Sequence, residues 1–383
     1  MQDFDFNTAR SLSVMRGGAT RLGERVSTMG FKSVLVVTDR DLLAAGMLDS
    51  TLRGLSACGV AHHVFSDVVA DPPESVIVDA AAAASACNAE CVIGFGGGSS
   101  LDAAKLAALL ARSKEPLSQV YGVNQAQGPR LPLILVPTTA GTGSEVTPIS
   151  IVTTGPGEKK GVVSPLLLPD VALLDAELTL GLPPHVTAAT GIDAMVHAIE
   201  AYTSRRLKNP ISDCLARDAL RLLAGSLHPA CHEGKNVKAR EDMLLGACLA
   251  GIAFANSPVA AVHALAYPVG ARFHVPHGLS NALVLAPVVR FNLDAATQQY
   301  AQICDVIMPE VSGTERQKAS ALADYLGKLT AELNLPTRLR DVGIAKADIA
   351  QLAIDAMKQT RLLVNNPREL TEADAVALYE EAL

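Results

Sequence analysis

Residues 90–105 read ECVIGFGGGSSLDAAK. A short apolar run ends in three consecutive glycines, and Ser99 then opens an Ala-rich stretch with helical spacing. The pattern predicts a strand at 90–95, a tight turn, and a helix at 100–112. Glycines at 96–98 let a backbone approach a ligand with no Cβ in the way. The helix N-terminus adds N–H donors and a positive dipole end, which suits a pyrophosphate. The spacing is not G-x-G-x-x-G. Two readings therefore stand: a phosphate cradle, or a strand–helix turn capped by Ser99.

The surroundings repeat the same alternation. Apolar runs at 32–39 and 131–136 predict two further strands, and the Ala-rich stretches 41–58 and 74–88 predict helices. Strands alternating with helices imply a parallel sheet covered on both faces. Residues 149–154 and 162–175 read as a further strand pair joined by the loop Gly155–Lys160. A second loop, PTTAGTGSE at 137–145, also follows a strand and concentrates hydroxyls and glycines. Ligands of open α/β sheets sit at the carboxyl ends of strands. Asp39 ends the 32–39 strand. Its carboxylate fits either a ribose contact that disfavours a 2′-phosphate or a helix cap.

Near Gly181 the pattern changes. Beyond it the strand signal almost vanishes, and helical periodicity recurs at 186–203, 210–227, 236–255, 259–270, 279–308, 314–333, 345–358 and 371–382. The expected division is an α/β domain over residues 1–183 and an all-helical domain over 184–383.

Composition narrows the class. The 383 residues are 49% hydrophobic and 19% charged, with mean hydropathy +0.26. These values describe a packed globular chain. The net charge of −7 and the lack of a long Lys/Arg tract argue against a nucleic-acid partner. Seven scattered cysteines without C-x-x-C fit reduced thiols in the cytoplasm. The N-terminal MQDFDFNTAR is acidic and polar, unlike a signal peptide. Met243 to Ala271 carries no Lys, Arg, Asp or Glu. Asn256-Ser257-Pro258 interrupts that stretch, which reads as a buried helix pair rather than a membrane span.

Asp193 and His197 are four residues apart in an apolar helical stretch, so they share a helix face. Three more of the chain's nine histidines lie in VHALAYPVGARFHVPHG, residues 262–278. Adding His263 and His277 gives three nitrogens and one oxygen. That donor set suits Fe²⁺, Zn²⁺, Co²⁺ or Ni²⁺ rather than Mg²⁺ or Ca²⁺. Gly278, directly after His277, reads as the residue that lets the chain turn, and His274 reads as a bystander. Arg272 fits either an exposed turn or a contact to a charged substrate.

The chain resembles the iron-containing, or group III, alcohol dehydrogenases. The likeness rests on VTD at 37–39, GGGSSLDAAK at 96–105, PTTAGTGSE at 137–145, SPLLLPDVALLD at 164–175, GIDAMVHAIEAY at 191–202 and FHVPHG at 273–278. It implies a dehydroquinate synthase-like architecture, with an α/β dinucleotide-binding domain followed by an all-helical domain. It implies metal ligation by Asp193, His197, His263 and His277, with Fe²⁺ the expected ion and Zn²⁺ the alternative. It implies NAD(H) contacts from Asp39, Gly97, Gly98, Ser99, Asp102, Thr138, Thr139, Thr142 and Lys160. His277 and Tyr267 are the candidate catalytic residues. Tyr267 stands where members often carry histidine, and Asp71-Pro72 stands where they often have Asn-Pro. The expected activity is metal-dependent hydride transfer between NAD(H) and a small primary alcohol or its aldehyde, in a cytoplasmic homodimer or larger assembly. Alternatives on the same fold are a hydroxyacid–oxoacid transhydrogenase and maleylacetate-reductase-type or glycerol-dehydrogenase-type activity. A non-catalytic nucleotide- or metal-binding protein is a further one.

Overall fold

A computed structural model describes residues 3–155 and 158–383. Pro156 and Gly157 of the expected 155–160 loop lie outside the described residues, as do the first two residues of the N-terminal stretch. The chain forms two compact units. One comprises Asn7–Thr139 and Gly143–Leu180; the other comprises residues 3–6, Ala140–Thr142 and Gly181–Leu383.

The first unit is α/β. Its strands are β1 (Leu12–Val14), β2 (Ser33–Asp39), β3 (Ala61–Val68), β4 (Cys91–Gly96), β5 (Gly122–Val123), β6 (Leu133–Pro137), β7 (Ile149–Gly155), β8 (Glu158–Val163) and β9 (Val171–Leu174). Its helices are α1 (Leu22–Thr28), α2 (Arg40–Ala44), α3 (Asp49–Ala57), α4 (Glu74–Ala86), α5 (Gly98–Ser113) and α6 (Leu117–Val120). Among the described residues the main sheet runs β1-β9-β6-β4-β2-β3, and every pairing in it is parallel. Val34, Val36, Ile93, Ile134 and Val136 face one core, which includes Leu22, Leu48 and Leu55. Leu35, Val37, Val92, Leu133 and Leu135 face the other, which includes Ile77, Leu101 and Leu106. Burial on both faces explains why these strands read as continuous apolar runs rather than alternating ones. A smaller sheet has the order β5-β8-β7.

Strand order reverses between β2 and β4. β3 lies on one side of β2, while β4, β6 and β9 follow on the other. The carboxyl ends of β2 and β4 therefore flank a topological switch point. Asp39 ends the first of these strands and Gly96 ends the second.

The second unit is helical: α7 (Pro184–Thr203), α8 (Pro210–His232), α9 (Val237–Asn256), α10 (Ala261–Phe273), α11 (His277–Asn292), α12 (Thr297–Ile307), α13 (Glu315–Glu332), α14 (Ile349–Met357), α15 (Thr360–Leu363) and α16 (Glu372–Ala382). Pro184 starts α7 at its first turn, where a missing N–H costs nothing. Gly191 lets α8 and α9 come close to α7. A Cβ there would lie 2.5 Å from Leu227 Cδ1 and 2.6 Å from Met243 Cε. Among the described residues no single helix is long and apolar enough to cross a membrane. Only the pair α9 and α10, bent by 107°, passes a test of length and composition.

Several expected boundaries shift. The 41–58 helix divides into α2 and α3 at Gly46, whose φ of +71° leaves the helical region. The 162–175 strand divides into β8 and β9, because Pro165 opens a short 3₁₀ turn between them. The 279–308 helix divides into α11 and α12. β1 and β3 had no counterpart in the pattern.

Candidate functional site

Three helices of the second unit each bring a pair of residues four positions apart. These are Asp193 and His197 on α7, His263 and Tyr267 on α10, and His277 and Asn281 on α11. One ligand atom from each of Asp193, His197, His263 and His277 lies within 4.8 Å of the others. Asp193 Oδ1 is 3.5 Å from His277 Nε2 and 3.9 Å from His263 Nε2. Asp193 and His263 are buried; the His277 side chain is 38% exposed and forms the open edge.

The electrostatics keep Asp193 and His197 in ligand form. Burial pushes the His197 imidazole down to about 3, and the neighbouring His263 and His277 act in the same direction against the pull of Asp193. A neutral imidazole has a lone pair to give. Burial raises the Asp193 carboxyl, but His197, His277, His263 and the Asn281 amide outweigh it and hold it below its ordinary value. Three imidazoles and one carboxylate fit a borderline cation such as Fe²⁺ or Zn²⁺.

The ring packing is apolar. Phe254 stacks on His197 at 4.3 Å between centroids, and His197 stacks on His263 at 4.7 Å. Half-buried Tyr267 meets His277 at 5.8 Å and His263 edge-on at 6.3 Å.

Gly278 differs from its expected role as a turn glycine, since it lies inside α11. A Cβ on it would sit 2.4 Å from the Ala189 carbonyl oxygen and 3.3 Å from Asp193 Cβ. Its contribution is close approach of α11 to α7. His274 is exposed and ends α10 in a left-handed conformation, φ 55°. Arg272 donates through Nε to Asp355 Oδ2 at 2.5 Å.

Two further residues belong to the centre and had no assigned role in the sequence pattern. Asn281 Nδ2 donates to Asp193 Oδ1 at 2.6 Å and lies 3.3 Å from His263 Nε2 and 3.2 Å from His277 Nε2. Glu200 Oε2 is 2.7 Å from His263 Nδ1. Position was the available signal: Glu200 follows Asp193 by two helical turns, and Asn281 follows His277 by one.

In the first unit, Asp39 and residues 97–99 lie at the carboxyl ends of the two strands that flank the switch point. Gly96 has φ +150°, and a Cβ on it would lie 2.7 Å from Ser100 Oγ. Gly97 caps α5 without a side-chain acceptor, and Gly98 is its first residue. Ser99 Oγ accepts from the Asp71 backbone N–H at 3.3 Å. Thr138 is buried and donates its N–H to the Gly96 carbonyl at 2.9 Å. The Thr139 side chain is 3.7 Å from where a Gly97 Cβ would be. Asp39 Oδ1 accepts from Leu42 N at 2.9 Å and so caps α2. Asp102 accepts from Ser144 Oγ at 2.6 Å, the Ile151 N–H at 2.9 Å and Lys105 Nζ at 3.3 Å. Lys160 lies on β8, 3.6 Å from Glu158 and 5.8 Å from the Tyr121 ring. Thr142 groups with the helical unit.

Known proteins resemble the chain along almost its full length. Residues 10–176 match the family model described as iron-containing alcohol dehydrogenase, and residues 187–383 match the one described as Fe-containing alcohol dehydrogenase family, C-terminal. Long-chain-alcohol dehydrogenase 1 of Geobacillus thermodenitrificans is 42% identical over 370 residues, covering 96% of this chain and 93% of that protein. Lactaldehyde reductase of Escherichia coli is 34% identical, covering 96% of each. The crystal structure of a 1,3-propanediol oxidoreductase matches with TM-score 0.96 at 33% identity and full coverage of both chains. That of sulfoacetaldehyde reductase from Bifidobacterium kashiwanohense in complex with NAD⁺ matches with TM-score 0.90 at 29% identity, covering 100% of this chain and 99% of that one. This chain belongs to the iron-containing alcohol dehydrogenase family and is an alcohol/aldehyde oxidoreductase.

Proposed function

We propose that the protein is an NAD(H)-linked, Fe²⁺-dependent dehydrogenase that interconverts a small primary alcohol and its aldehyde. The observation that carries this reading is the cluster of Asp193, His197, His263 and His277, buried on three members and open at the fourth. Asp193 and the three imidazoles are the residues that hold the cation. A bound divalent cation supplies Lewis-acid polarisation of a substrate oxygen, and NAD(H) supplies hydride exchange.

The chain's own residues do the rest. Phe254 and Tyr267 cover the rings of His197 and His277 and exclude water from the open edge. Tyr267 places a phenol one helical turn from His263 and is the group proposed to hold or pass a proton. Gly97, Gly98 and Ser99 lie at the start of α5, where the helix N-terminus favours a pyrophosphate. Thr138, Thr139, Thr142 and Lys160 are the further cofactor contacts in this reading. Asp39 places negative charge at the end of β2, which disfavours a 2′-phosphate and selects NAD(H). Asp102 serves this site by holding Ser144 and the Ile151 backbone.

Seven scattered cysteines without a C-x-x-C pair support a reducing, cytoplasmic setting. A homodimer or larger assembly belongs to the same proposal and is read by light scattering. The activity is tested by NADH oxidation with a panel of neutral and charged small aldehydes after anaerobic Fe²⁺ loading. Turnover that disappears on chelation supports the reading. Failure to turn over any aldehyde contradicts it.

A further inference from the structure

Glu200 lies one turn beyond His197 on α7 and is 4% exposed. It stands outside the four-residue ligand cluster. Both of its oxygens are engaged. Oε1 accepts from the Val262 N–H at 2.7 Å, and Oε2 accepts from the Ala260 N–H at 2.9 Å and meets His263 Nδ1 at 2.7 Å. Ala260 precedes α10 and has no side chain able to cap it. A carboxylate from α7 thus satisfies backbone donors at the start of α10. It also takes the ring nitrogen of His263 that points away from Asp193.

An imidazole whose Nδ1 faces a carboxylate carries its proton there, which leaves the Nε2 lone pair free. His263 Nε2 is the nitrogen directed at the cluster, 3.9 Å from Asp193 Oδ1 and 3.3 Å from the Asn281 amide. Carboxylates in this relation to a histidine fix the ring and raise the basicity of the ligating nitrogen.

We propose that Glu200 is a positioning residue for the metal centre. It holds His263 in the Nδ1–H tautomer, with Nε2 presented to the cation, and it locks the start of α10 to α7 with the same carboxylate. The inference rests on the ligand set proposed above.

The test uses Zn²⁺ alone as an air-stable probe, with affinity measured by competition against a chromophoric chelator. Wild type, Glu200→Gln, His263→Ala and the double variant are compared. Glu200→Gln is expected to bind Zn²⁺ about 10–100-fold more weakly than wild type. The double variant is expected to bind no more weakly than His263→Ala, because Glu200 acts through His263. Wild-type affinity in Glu200→Gln overturns the proposal. So does an equal further loss in the His263→Ala background, which marks a role confined to capping. If His263→Ala itself binds as wild type does, the ligand set fails instead. A second measurement needs no variant at Glu200. In ¹⁵N-histidine spectra of metal-free wild type, assigned by the signal missing from His263→Ala, His263 must appear as the Nδ1–H tautomer. An Nε2–H tautomer overturns the proposal.

Discussion

Asn281 donates its amide to Asp193 over 2.6 Å, across the contact between α11 and α7. The acceptor is a buried carboxylate, and hydrogen bonds to charged groups contribute about 1.5–3 kcal/mol. Asn281→Leu keeps the approximate volume and removes the donor. We expect the metal-free variant to lose stability by about that amount, and Zn²⁺ to restore most of it by engaging the same oxygen. Melting temperatures with and without chelator check this. Equal losses in both conditions would show that Asn281 supports packing alone.

Gly278 has the more severe constraint. A Cβ would stand 2.4 Å from the Ala189 carbonyl, which is backbone and cannot rotate away. Gly278→Ala must push the start of α11 off α7 and carry His277 away from Asp193. Overpacking of this kind costs about 1–3 kcal/mol. We expect that destabilisation together with a clear loss of Zn²⁺ affinity. An alanine variant that binds Zn²⁺ like wild type would show that the His277 position tolerates the shift.

Lys105 is fully buried in the α/β unit. Its ammonium is held by Ser144 Oγ at 2.8 Å, the Ile149 carbonyl at 2.6 Å, Thr147 Oγ1 at 3.2 Å and Asp102 at 3.3 Å. Burial lowers its pKa, and Asp102 opposes that. The lysine ties α5 to the segment 144–149, which runs from the end of the 137–145 loop to the start of β7. Lys105→Met leaves buried acceptors without a cation, and breaking a buried pair costs about 3–5 kcal/mol. We expect a lower melting temperature and a raised KM for NADH, read from thermal unfolding and steady-state kinetics. An unchanged KM would separate this network from the cofactor.

Arg272 is committed to Asp355, which joins α10 to α14. Burial raises the Asp355 carboxyl, but hydrogen bonds from Lys358, Arg272 and Gln351 outweigh it and hold its pKa below the ordinary value. A carboxyl with a depressed folded pKa contributes stability above its unfolded pKa of about 3.9 and loses it as pH falls toward the folded value. Wild type is therefore expected to lose stability below about pH 4 more steeply than Asp355→Asn. Arg272→Ala is expected to leave the ratio of activity on charged and neutral aldehydes unchanged. A selective loss with charged aldehydes would return Arg272 to a substrate role.

The sheet was legible where strands are buried on both faces. β2, β4 and β6 are nearly unbroken apolar runs because each face meets its own core. β3 was not legible. It is an edge strand, AHHVFSDV, largely half-buried or exposed, and its polar residues mask the pattern. The grouping of Asp193, His197, His263 and His277 was legible because helical spacing of four brings Asp193 and His197 together, and the histidines near 263–277 are conspicuous among apolar neighbours. Glu200 and Asn281 were not, because a glutamate or asparagine on a helix ordinarily faces solvent. Only the packing of α10 and α11 against α7 shows them turned inward. Asp39 and Asp102 teach the converse: a carboxylate beside a glycine loop has internal donors to satisfy, and spacing cannot reveal them.

The central claim is that Asp193, His197, His263 and His277 hold one catalytic cation. The direct measurement is iron content by elemental analysis of anaerobically loaded wild type and His197→Ala, with aldehyde-dependent NADH oxidation on the same samples. The account predicts one iron per chain and turnover in wild type, with both lost in the variant. A folded His197→Ala variant that retains full iron and full turnover would contradict it.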